Sequence, residues 1–451
     1  MKITSVILAA GKGTRMRSDL PKVLHPLGGR PLIWYSLNSA SQVSSEIPVV
    51  VIGHDKEEVQ RWVGDAARFV VQEPQLGTGH AVQATESLLA NQTDLILVCY
   101  SDMPLLTAAT FQRVIDTQMQ NSGPLTILTL FQEDAHGFGR IVRMEDGSVE
   151  AIVEEVAATP QQLAIKETNV SVYCIQADWL WDALRRIPIS VKGEYFLTDL
   201  VGIAVEDNLK VQAVVMDDIQ EAIGINTRIH LAEAESFLRR RINRAWMDAG
   251  VTMLDPETVY IEPDVTVGRD TVIYPNTFLR GTTQIGEGCQ IGPNSILENC
   301  QVGNHCRVLA SVLDGGSVLE DDVEMGPFCH LRKGAHLSKH VHLGNFGEVK
   351  NSYLAEGVKM GHFSYIGDAQ IGENVNIGAG TITCNYDGEK KHKTEIGANA
   401  FVGSDTMLVA PVKLGENSRT GAGAVVTHDV PDGTTVVGVP ARPLIKKVQS
   451  E

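Results

Sequence analysis

A glycine-rich loop near the start of the chain carries residue types that suit phosphate chemistry. The apolar run 5–10 leads into residues 11–15, Gly-Lys-Gly-Thr-Arg, and Lys22 follows shortly after. Two glycines let the backbone approach a ligand and point N–H groups at an anion, while Lys12, Arg15 and Lys22 add positive charge. The spacing matches neither a Walker A loop nor the dinucleotide fingerprint. From the residues alone, the segment is either a phosphate-binding loop or only a tight turn.

Two further residues could take part in chemistry. Asp102 follows the apolar run 95–99, and a carboxylate at a strand end suits Mg²⁺, which prefers oxygen ligands. His362 lies within a six-residue sequence repeat, described below, at a position that otherwise carries residues without acid–base chemistry. A neutral imidazole can accept a proton near pH 7. A polar segment at 384–391 interrupts the same repeat. A structural rod needs neither feature, so the sequence favours a grafted site over a solvated loop.

The elements that must position these residues come in two styles. The chain has 451 residues, too many for one ordinary core, and all five tryptophans lie in its first 246 residues. Apolar runs at 5–10, 48–52 and 95–99 alternate with helical patterns, which predicts a Rossmann-like α/β domain with an open, largely parallel sheet. Ligands in such a fold bind at the carboxyl ends of the strands.

The second style is a repeat of six residues that begins after Gly250. Aliphatic-Gly pairs recur in phase, for example at residues 285–286, 291–292, 371–372 and 377–378. This pattern predicts a parallel β-helix with short strands on three faces of a triangular prism. By itself, the repeat is also compatible with a purely structural rod.

A helix is expected between the two styles. Apolar residues from Leu231 to Ala249 recur every three or four positions, and Gly250 follows as a terminator. Arg239, Arg240, Arg241 and Arg244 are interpreted as its solvated face. We therefore predict an N-terminal domain over 1–227, a linker helix over 228–250 and a β-helix domain over 251–451.

The composition indicates which partners and which cellular compartment are compatible with the chain. The net charge is −17 and both halves are acidic, which argues against bulk binding to nucleic acid or anionic membrane. Seven cysteines without a CxxC pair indicate a reducing compartment, and no apolar run approaches the length of a membrane helix. The sequence predicts a cytoplasmic protein.

Three segments in order resemble sugar-1-phosphate nucleotidyltransferases: residues 8–16 with Pro21-Lys22, residues 72–81 (QEPQLGTGHA) and residues 100–105 (YSDMPL). With the hexapeptide half, the resemblance covers nearly the whole chain. It extends to the family of bifunctional N-acetylglucosamine-1-phosphate uridylyltransferases and glucosamine-1-phosphate acetyltransferases. The family's β-helices are left-handed.

The resemblance implies that an oxygen of N-acetylglucosamine-1-phosphate attacks the α-phosphorus of UTP, with Arg15 and Lys22 as catalytic cations. It assigns Mg²⁺ to Asp102 and Asn226; from sequence alone, Asn226 could equally cap the following helix. The substrate-binding residues that it implies for UTP and the sugar phosphate are Leu8, Ala9, Gly11, Gly13, Lys22, Gln72, Gly77, Thr78, Gly139, Glu154, Asn169 and Asn226.

For the second half, the resemblance implies acetyl transfer from acetyl-CoA to glucosamine-1-phosphate, with His362 as general base and Glu348 as its orienter. The implied binding residues are Arg332, Lys350, Tyr365, Asn376, Ala379, Asn385, Tyr386, Ser404 and Ala422. Where some relatives carry an arginine for coenzyme A, this chain has Gly438, so Arg442, Lys446 or Lys447 are candidate replacements.

The resemblance also implies a homotrimer that makes UDP-N-acetylglucosamine for peptidoglycan and lipopolysaccharide precursors. Two alternatives stay open. One is a nucleotidyltransferase with a single activity, whose β-helix regulates or trimerises it. The other is a structural trimerisation protein with a degenerate N-terminal domain, against which the intact Arg15, Lys22 and Asp102 argue.

Overall fold

The chain folds into two compact units. The structure is a computed structural model and describes residues 1–135, 137–190 and 193–444. The units are Met1–Leu238 and Arg239–Glu451, divided inside one long helix. Lys446 and Lys447, two of the candidate coenzyme A cations, lie outside the described residues. In the described part of the chain, no helix has the length and apolarity needed to cross a bilayer.

The first unit is built on a mixed sheet, which confirms the predicted Rossmann-like class. Across the sheet, the strands are Val211–Val215, Leu125–Phe131, Glu167–Gln176, Leu95–Tyr100, Ile3–Leu8, Val49–Ile52 and Arg68–Val71. Strand Glu167–Gln176 runs antiparallel to both neighbours, and the other pairs along this path are parallel. Arg140–Arg143 and Val149–Val153 extend the sheet, and Pro26–Leu27 pairs with Arg30–Pro31.

Helices cover both faces of this sheet, because its central strands are apolar on both sides. The α-helices are Leu32–Val43, Lys56–Val63, Thr78–Gln83, Glu86–Leu89, Ala108–Gln120, Pro160–Leu163, Ala177–Leu184 and Asp199–Glu206. Short 3₁₀ turns lie at Thr14–Met16, Lys22–Leu24, Gly64–Ala66, Glu155–Ala157 and Ile219–Ala222. Strands Ile3–Leu8 and Leu95–Tyr100 are parallel neighbours, so the glycine loop and Asp102 emerge at the same edge.

The second unit is a left-handed parallel β-helix, as the repeat and the resemblance predicted. Its strands form three parallel sheets, which we call faces one, two and three. Face one contains Thr252–Met253, Val272–Ile273, Gln290–Ile291, Arg307–Val308, Glu324–Met325, His342–Leu343, Lys359–Met360, Asn376–Ile377, Phe401–Val402, Arg419–Thr420, Thr435–Val437 and the antiparallel Arg442–Pro443. Face two contains Val259–Ile261, Thr277–Arg280, Ile296–Glu298, Val312–Leu313, His330–Leu331, Gly347–Lys350, Ser364–Gly367, Ile382–Cys384, Met407–Val409 and Val425–Val426. Face three contains Thr266–Val267, Gln284–Ile285, Gln301–Val302, Val318–Leu319, His336–Leu337, Tyr353–Leu354, Ala369–Ile371, Thr394–Ile396 and Val412–Leu414.

Most of the short strands point an aliphatic side chain inward. Leu331, Leu337 and Leu343, six residues apart, belong to the three faces of one coil and are fully buried. Inward residues from all coils form one continuous apolar core. Side chains just before them point outward, where they are available for binding.

The predicted linker helix spans Arg228–Asp248, and Gly250 follows with φ +97°. One expectation about its surface is wrong. Arg239 was expected to be solvated, but only 15% of its side chain is exposed. Its guanidinium lies 4.8 Å from the centre of the Tyr260 ring and forms an ion pair with Glu257 in the 3₁₀ turn Pro256–Thr258. This arginine is part of the packing of the second unit.

Candidate active sites

A cavity of about 300 Å³ opens at the carboxyl edge of the first unit's sheet. It is lined by Leu8, Ala9, Ala10, Gly11, Lys22, Val23, Gln72, Gln75, Gly77, Thr78, Ala81, Tyr100, Ser101, Asp102 and Glu194. The glycine loop and the segment 72–81 therefore meet in one pocket, as expected for a nucleotide site at strand ends.

The segment 72–81 is held in shape by hydrogen bonds. Gln72 is 5% exposed, and its amide nitrogen donates to the Gly77 carbonyl oxygen over 2.8 Å. Gly77 has φ +98°, and a Cβ there would lie 2.6 Å from the Tyr195 carbonyl oxygen. The Thr78 hydroxyl accepts from the Leu197 N–H at 2.9 Å. Position 77 requires glycine because φ is positive there and because the Tyr195 backbone lies too close to leave room for a side chain.

Four predicted polar residues converge at the mouth of this cavity. The Lys22 ammonium donates to Asp102 Oδ2 over 2.6 Å and to Asn226 Oδ1 over 2.8 Å, and Arg15 Nη2 donates to the same amide oxygen over 2.9 Å. The backbone N–H of Ile225 donates to the Asp102 carbonyl oxygen, which fixes Asn226 beside the carboxylate. The alternative role of Asn226 as helix cap is not what the structure shows, because Thr227 Oγ1 accepts from the backbone of the first turn.

These donors fit a hard divalent cation. The Asp102 carboxylate and the Asn226 amide each lie within 2.8 Å of one ammonium nitrogen, so their oxygens already surround a single positive charge. Mg²⁺ is bound in this manner by one or two protein oxygens, with water and phosphate oxygens completing the octahedron.

A second cavity of about 650 Å³ shares Tyr100 and Asp102 with the first. Its walls are Arg15, Tyr100, Asp102, Met103, Asp134, Gly137, Phe138, Gly139, Glu154, Asn169, Ser171, Gly224, Asn226 and His230. Gly139, Glu154 and Asn169, three of the predicted substrate-binding residues, therefore lie together. Two cavities that meet at Asp102 provide adjacent places for two ligands beside the same cationic cluster.

The Glu154 carboxyl in this second cavity has a shifted pKa. Burial raises the pKa of this carboxyl, and the Thr198 hydroxyl, which donates to Oε1 over 3.2 Å, opposes that rise. Asn169 donates from its amide to the Tyr173 hydroxyl at 2.7 Å, which fixes its orientation. Sequence reasoning missed Thr198 as well as Tyr100 and Ser101; the latter two stood in the quoted YSDMPL segment and could have been found there.

In the second unit, four of the predicted residues follow one edge of the prism. His362, Ala379, Ser404 and Ala422 each lie between a face-one strand and the next face-two strand, on successive coils. We call this edge the first corner. With strands about 4.8 Å apart, the residues span three coil steps, or roughly 14 Å. His362 is exposed and has no hydrogen bond within the described single chain.

The outward side of face two is cationic at the strand ends away from the first corner, where Lys350 pairs in register with Gly367, five residues after His362. Arg332 Nη1 donates to Glu348 Oε1 over 2.7 Å. Lys350 lies two residues after Glu348, on the same strand of the next coil. The ammonium of Lys391, followed by the charge of Arg332, lowers the pKa of Lys350. Like charges gathered in this way favour an anion such as a phosphate. Lys391 was not among the predicted residues and comes from the interrupting loop.

The predicted loop is present between strands Ile382–Cys384 and Thr394–Ile396. Tyr386 pairs with Lys391 across it, and the Asn385 amide donates to the Asp368 carboxylate. The Tyr365 hydroxyl and Asn385 converge on Gly367, where a Cβ would clash with both side chains. Tyr365 and Asn385 are thus brought together with the cations of face two.

One prediction for this half differs from the structure, and one pair of predicted binding residues lies apart within the single chain. Glu348 was expected to orient His362, but its carboxylate binds Arg332, which lies on the preceding coil of the same face. Asn376 and Tyr365 were both predicted to bind glucosamine-1-phosphate; Asn376 belongs to face one and Tyr365 to face two. Outward side chains on two faces of a prism point away from each other, so one chain alone does not bring them together.

Comparison with known proteins agrees with this architecture. Residues 5–168 match the MobA-like NTP transferase domain, and residues 282–313 and 393–428 match the bacterial transferase hexapeptide (six repeats). A protein from Pelobacter propionicus named bifunctional protein GlmU is 45% identical over 96% of this chain and 95% of its own. The protein of the same name from Heliobacterium modesticaldum is 46% identical over 97% of this chain and 95% of its own.

The fold and sites therefore define a class: a nucleotidyltransferase unit joined to a hexapeptide-repeat transferase unit. Full-length identity at this level narrows the class to one family. The chain belongs to the family of the bifunctional protein GlmU.

Proposed function

We propose that the chain makes UDP-N-acetylglucosamine by two reactions, one in each unit. The observation that carries the first is the meeting of the two cavities at Asp102, Arg15, Lys22 and Asn226. The second is supported by His362 on the first corner and by the cations Arg332 and Lys350 on face two. The proposal rests on both sites in one chain of the GlmU family.

In the first unit, a phosphate oxygen of N-acetylglucosamine-1-phosphate attacks the α-phosphorus of UTP. The bond from that phosphorus to the bridging oxygen breaks, and pyrophosphate leaves. Lys22 and Arg15 offset the negative charge that gathers on the phosphoryl oxygens, while Glu154 and Asn169 hold the sugar. Mg²⁺, held by Asp102 and Asn226, supplies further charge neutralisation when it is bound.

In the second unit, the amine of glucosamine-1-phosphate attacks the thioester carbonyl of acetyl-CoA. His362 accepts the proton that the nitrogen loses, the C–S bond breaks, and coenzyme A leaves as the thiol after protonation. Arg332 and Lys350 bind the sugar phosphate, with Tyr365, Asn376 and Asn385 around the sugar. Ala379, Tyr386, Ser404 and Ala422 lie along acetyl-CoA.

The homotrimer belongs to the same proposal. Phe328, Phe346 and Phe363 are 60%, 59% and 56% exposed, and the first two rings stack at 5.3 Å. Exposed apolar side chains clustered in this way, which we call the apolar ridge, are typical of a protein interface. A second chain packed against this ridge would bring Asn376 on face one of one chain toward Tyr365 on face two of the other. Closed three-fold symmetry would repeat this contact between all three chains.

Two assays on the purified full-length chain test the proposal. Free thiol should appear when acetyl-CoA is mixed with glucosamine-1-phosphate, and pyrophosphate should appear when UTP and Mg²⁺ are mixed with N-acetylglucosamine-1-phosphate. Pyrophosphate release without thiol release would favour the nucleotidyltransferase with a regulatory β-helix. A fragment beginning at Val251 should sediment as a trimer, and a monomer would refute the interface.

A further inference from the structure

An exposed aromatic ring and a guanidinium stack on face one, outside the residues assigned above. The Arg419 Cζ lies 5.6 Å from the centre of the Phe401 ring, and 43% of Phe401 is exposed. The two residues are register partners on adjacent coils. In the part of the chain that the structure describes, Arg419 forms no ion pair. Its guanidinium is therefore available to a ligand, unlike that of Arg269, which forms an ion pair with Glu287.

The position of the pair relates it to the first corner. Phe401 lies three residues before Ser404, and Arg419 lies three residues before Ala422. Asn376, the register partner of Phe401 on the preceding coil, lies three residues before Ala379. The ring and the guanidinium therefore occupy the outward side of face one, alongside the corner residues that follow Ala379.

The direction along the corner determines which end of a thioester donor could reach this pair. Acetyl transfer occurs at His362, and Ser404 and Ala422 lie two and three coils further on, about 10 and 14 Å away along the prism. A donor whose acetyl group is at His362 must extend its pantetheine arm along the corner. The far end of acetyl-CoA, an adenosine with phosphate groups, then arrives at the coils of Phe401 and Arg419.

The chemistry of the pair matches that end. A base stacks on an exposed aromatic face, and a guanidinium binds phosphate through paired hydrogen bonds. Stacking on Phe401 restricts the Arg419 side chain before binding, so less freedom is lost when a phosphate is bound. We propose that Phe401 and Arg419 bind the phosphorylated adenosine end of acetyl-CoA. This inference rests on the acetyl transfer proposed above, and it assigns the coenzyme A cation to Arg419 instead of the sequence candidates Arg442, Lys446 and Lys447.

The test compares two acetyl donors with the full-length enzyme. For Arg419→Gln, the KM for acetyl-CoA should rise about tenfold, the effect of losing one charge-assisted hydrogen bond. The KM for S-acetylpantetheine, which lacks the phosphorylated adenosine, should stay within twofold of wild type, as should uridylyl transfer. Adenosine 3′,5′-bisphosphate should inhibit the wild type competitively with acetyl-CoA and inhibit Arg419→Gln about tenfold more weakly.

Arg307→Gln is the matched control, since Arg307 is also exposed on face one but lies five coils before the coil of Phe401. It should behave as wild type with both donors. An unchanged KM of Arg419→Gln for acetyl-CoA, an equal rise for both donors, or a selective effect in Arg442→Gln instead would overturn the inference. If the wild type transfers no acetyl group to glucosamine-1-phosphate from either donor, the proposed function itself fails.

Discussion

Replacing Asp102 with asparagine should separate the two activities. The substitution keeps the shape of the side chain but removes the charge that lies 2.6 Å from the Lys22 ammonium. Lys22 retains Asn226 Oδ1 at 2.8 Å, so the folded state should lose only about 1.5 kcal/mol, the lower value for one charged hydrogen bond. The protein should therefore remain folded.

The effect on uridylyl transfer should be much larger, because the carboxylate is the only charged member of the proposed metal-binding pair. Loss of one such charge from a site for phosphoryl transfer should lower kcat/KM about 10²–10³-fold, equivalent to about 2.7–4 kcal/mol. The Mg²⁺ concentration needed for half-maximal rate should rise at the same time.

The assay is pyrophosphate release at several Mg²⁺ concentrations, with thiol release from acetyl-CoA measured on the same preparation. Acetyl transfer should stay within twofold of wild type, and the exposed control Asp65→Asn should leave both activities unchanged. Direct titration with Mn²⁺ should show weaker binding to Asp102→Asn than to wild type. Pyrophosphate release within threefold of wild type at equal Mg²⁺ would refute the role assigned to Asp102.

Three further substitutions test separate parts of the account. His362→Gln should lower the rate of thiol release at least 10²-fold and leave pyrophosphate release intact; parallel loss of both would contradict two independent sites. Burial raises the pKa of Glu154, so lowering the pH should protonate it, and weaken sugar binding, at a higher pH than for an ordinary glutamate. The fall of kcat/KM for N-acetylglucosamine-1-phosphate on acidification should therefore occur at a higher pH than for an ordinary glutamate, and it should vanish in Glu154→Gln. If the fall is unchanged in that variant, it belongs to another group. Gly77→Ala should raise the KM for UTP at least tenfold, because φ is +98° and the added Cβ would lie 2.6 Å from the Tyr195 carbonyl oxygen. An unchanged KM for UTP would show that this turn does not position the nucleotide.

The sequence predicted both fold classes because their periodicities are local. Alternating apolar runs and a phased six-residue repeat identify a strand or a coil without knowledge of its partners. The antiparallel strand Glu167–Gln176 was not predictable in this way, since strand direction depends on long-range connections. The burial of Arg239 has the same cause, because it depends on Tyr260 and Glu257.

In the candidate sites, too, local motifs were predictable and contacts between distant residues were not. Arg15, Lys22 and Asp102 were recognisable from their motifs, and the structure adds that their side chains meet at Asn226. The pairing of Glu348 with Arg332 depends on stacking between coils, which residue types alone do not reveal. Phe401 and Arg419 are 18 residues apart, one coil of the repeat, so their contact could have been inferred from the repeat period.

The central claim is that one chain carries both reactions in sequence. The most direct measurement supplies the full-length protein with acetyl-CoA labelled in the acetyl group, glucosamine-1-phosphate, UTP and Mg²⁺, and follows the label. We expect labelled UDP-N-acetylglucosamine, with coenzyme A and pyrophosphate released in equal amounts once the concentration of the intermediate is steady. Label that stays in acetyl-CoA, while pyrophosphate is released only when N-acetylglucosamine-1-phosphate is added, would contradict it.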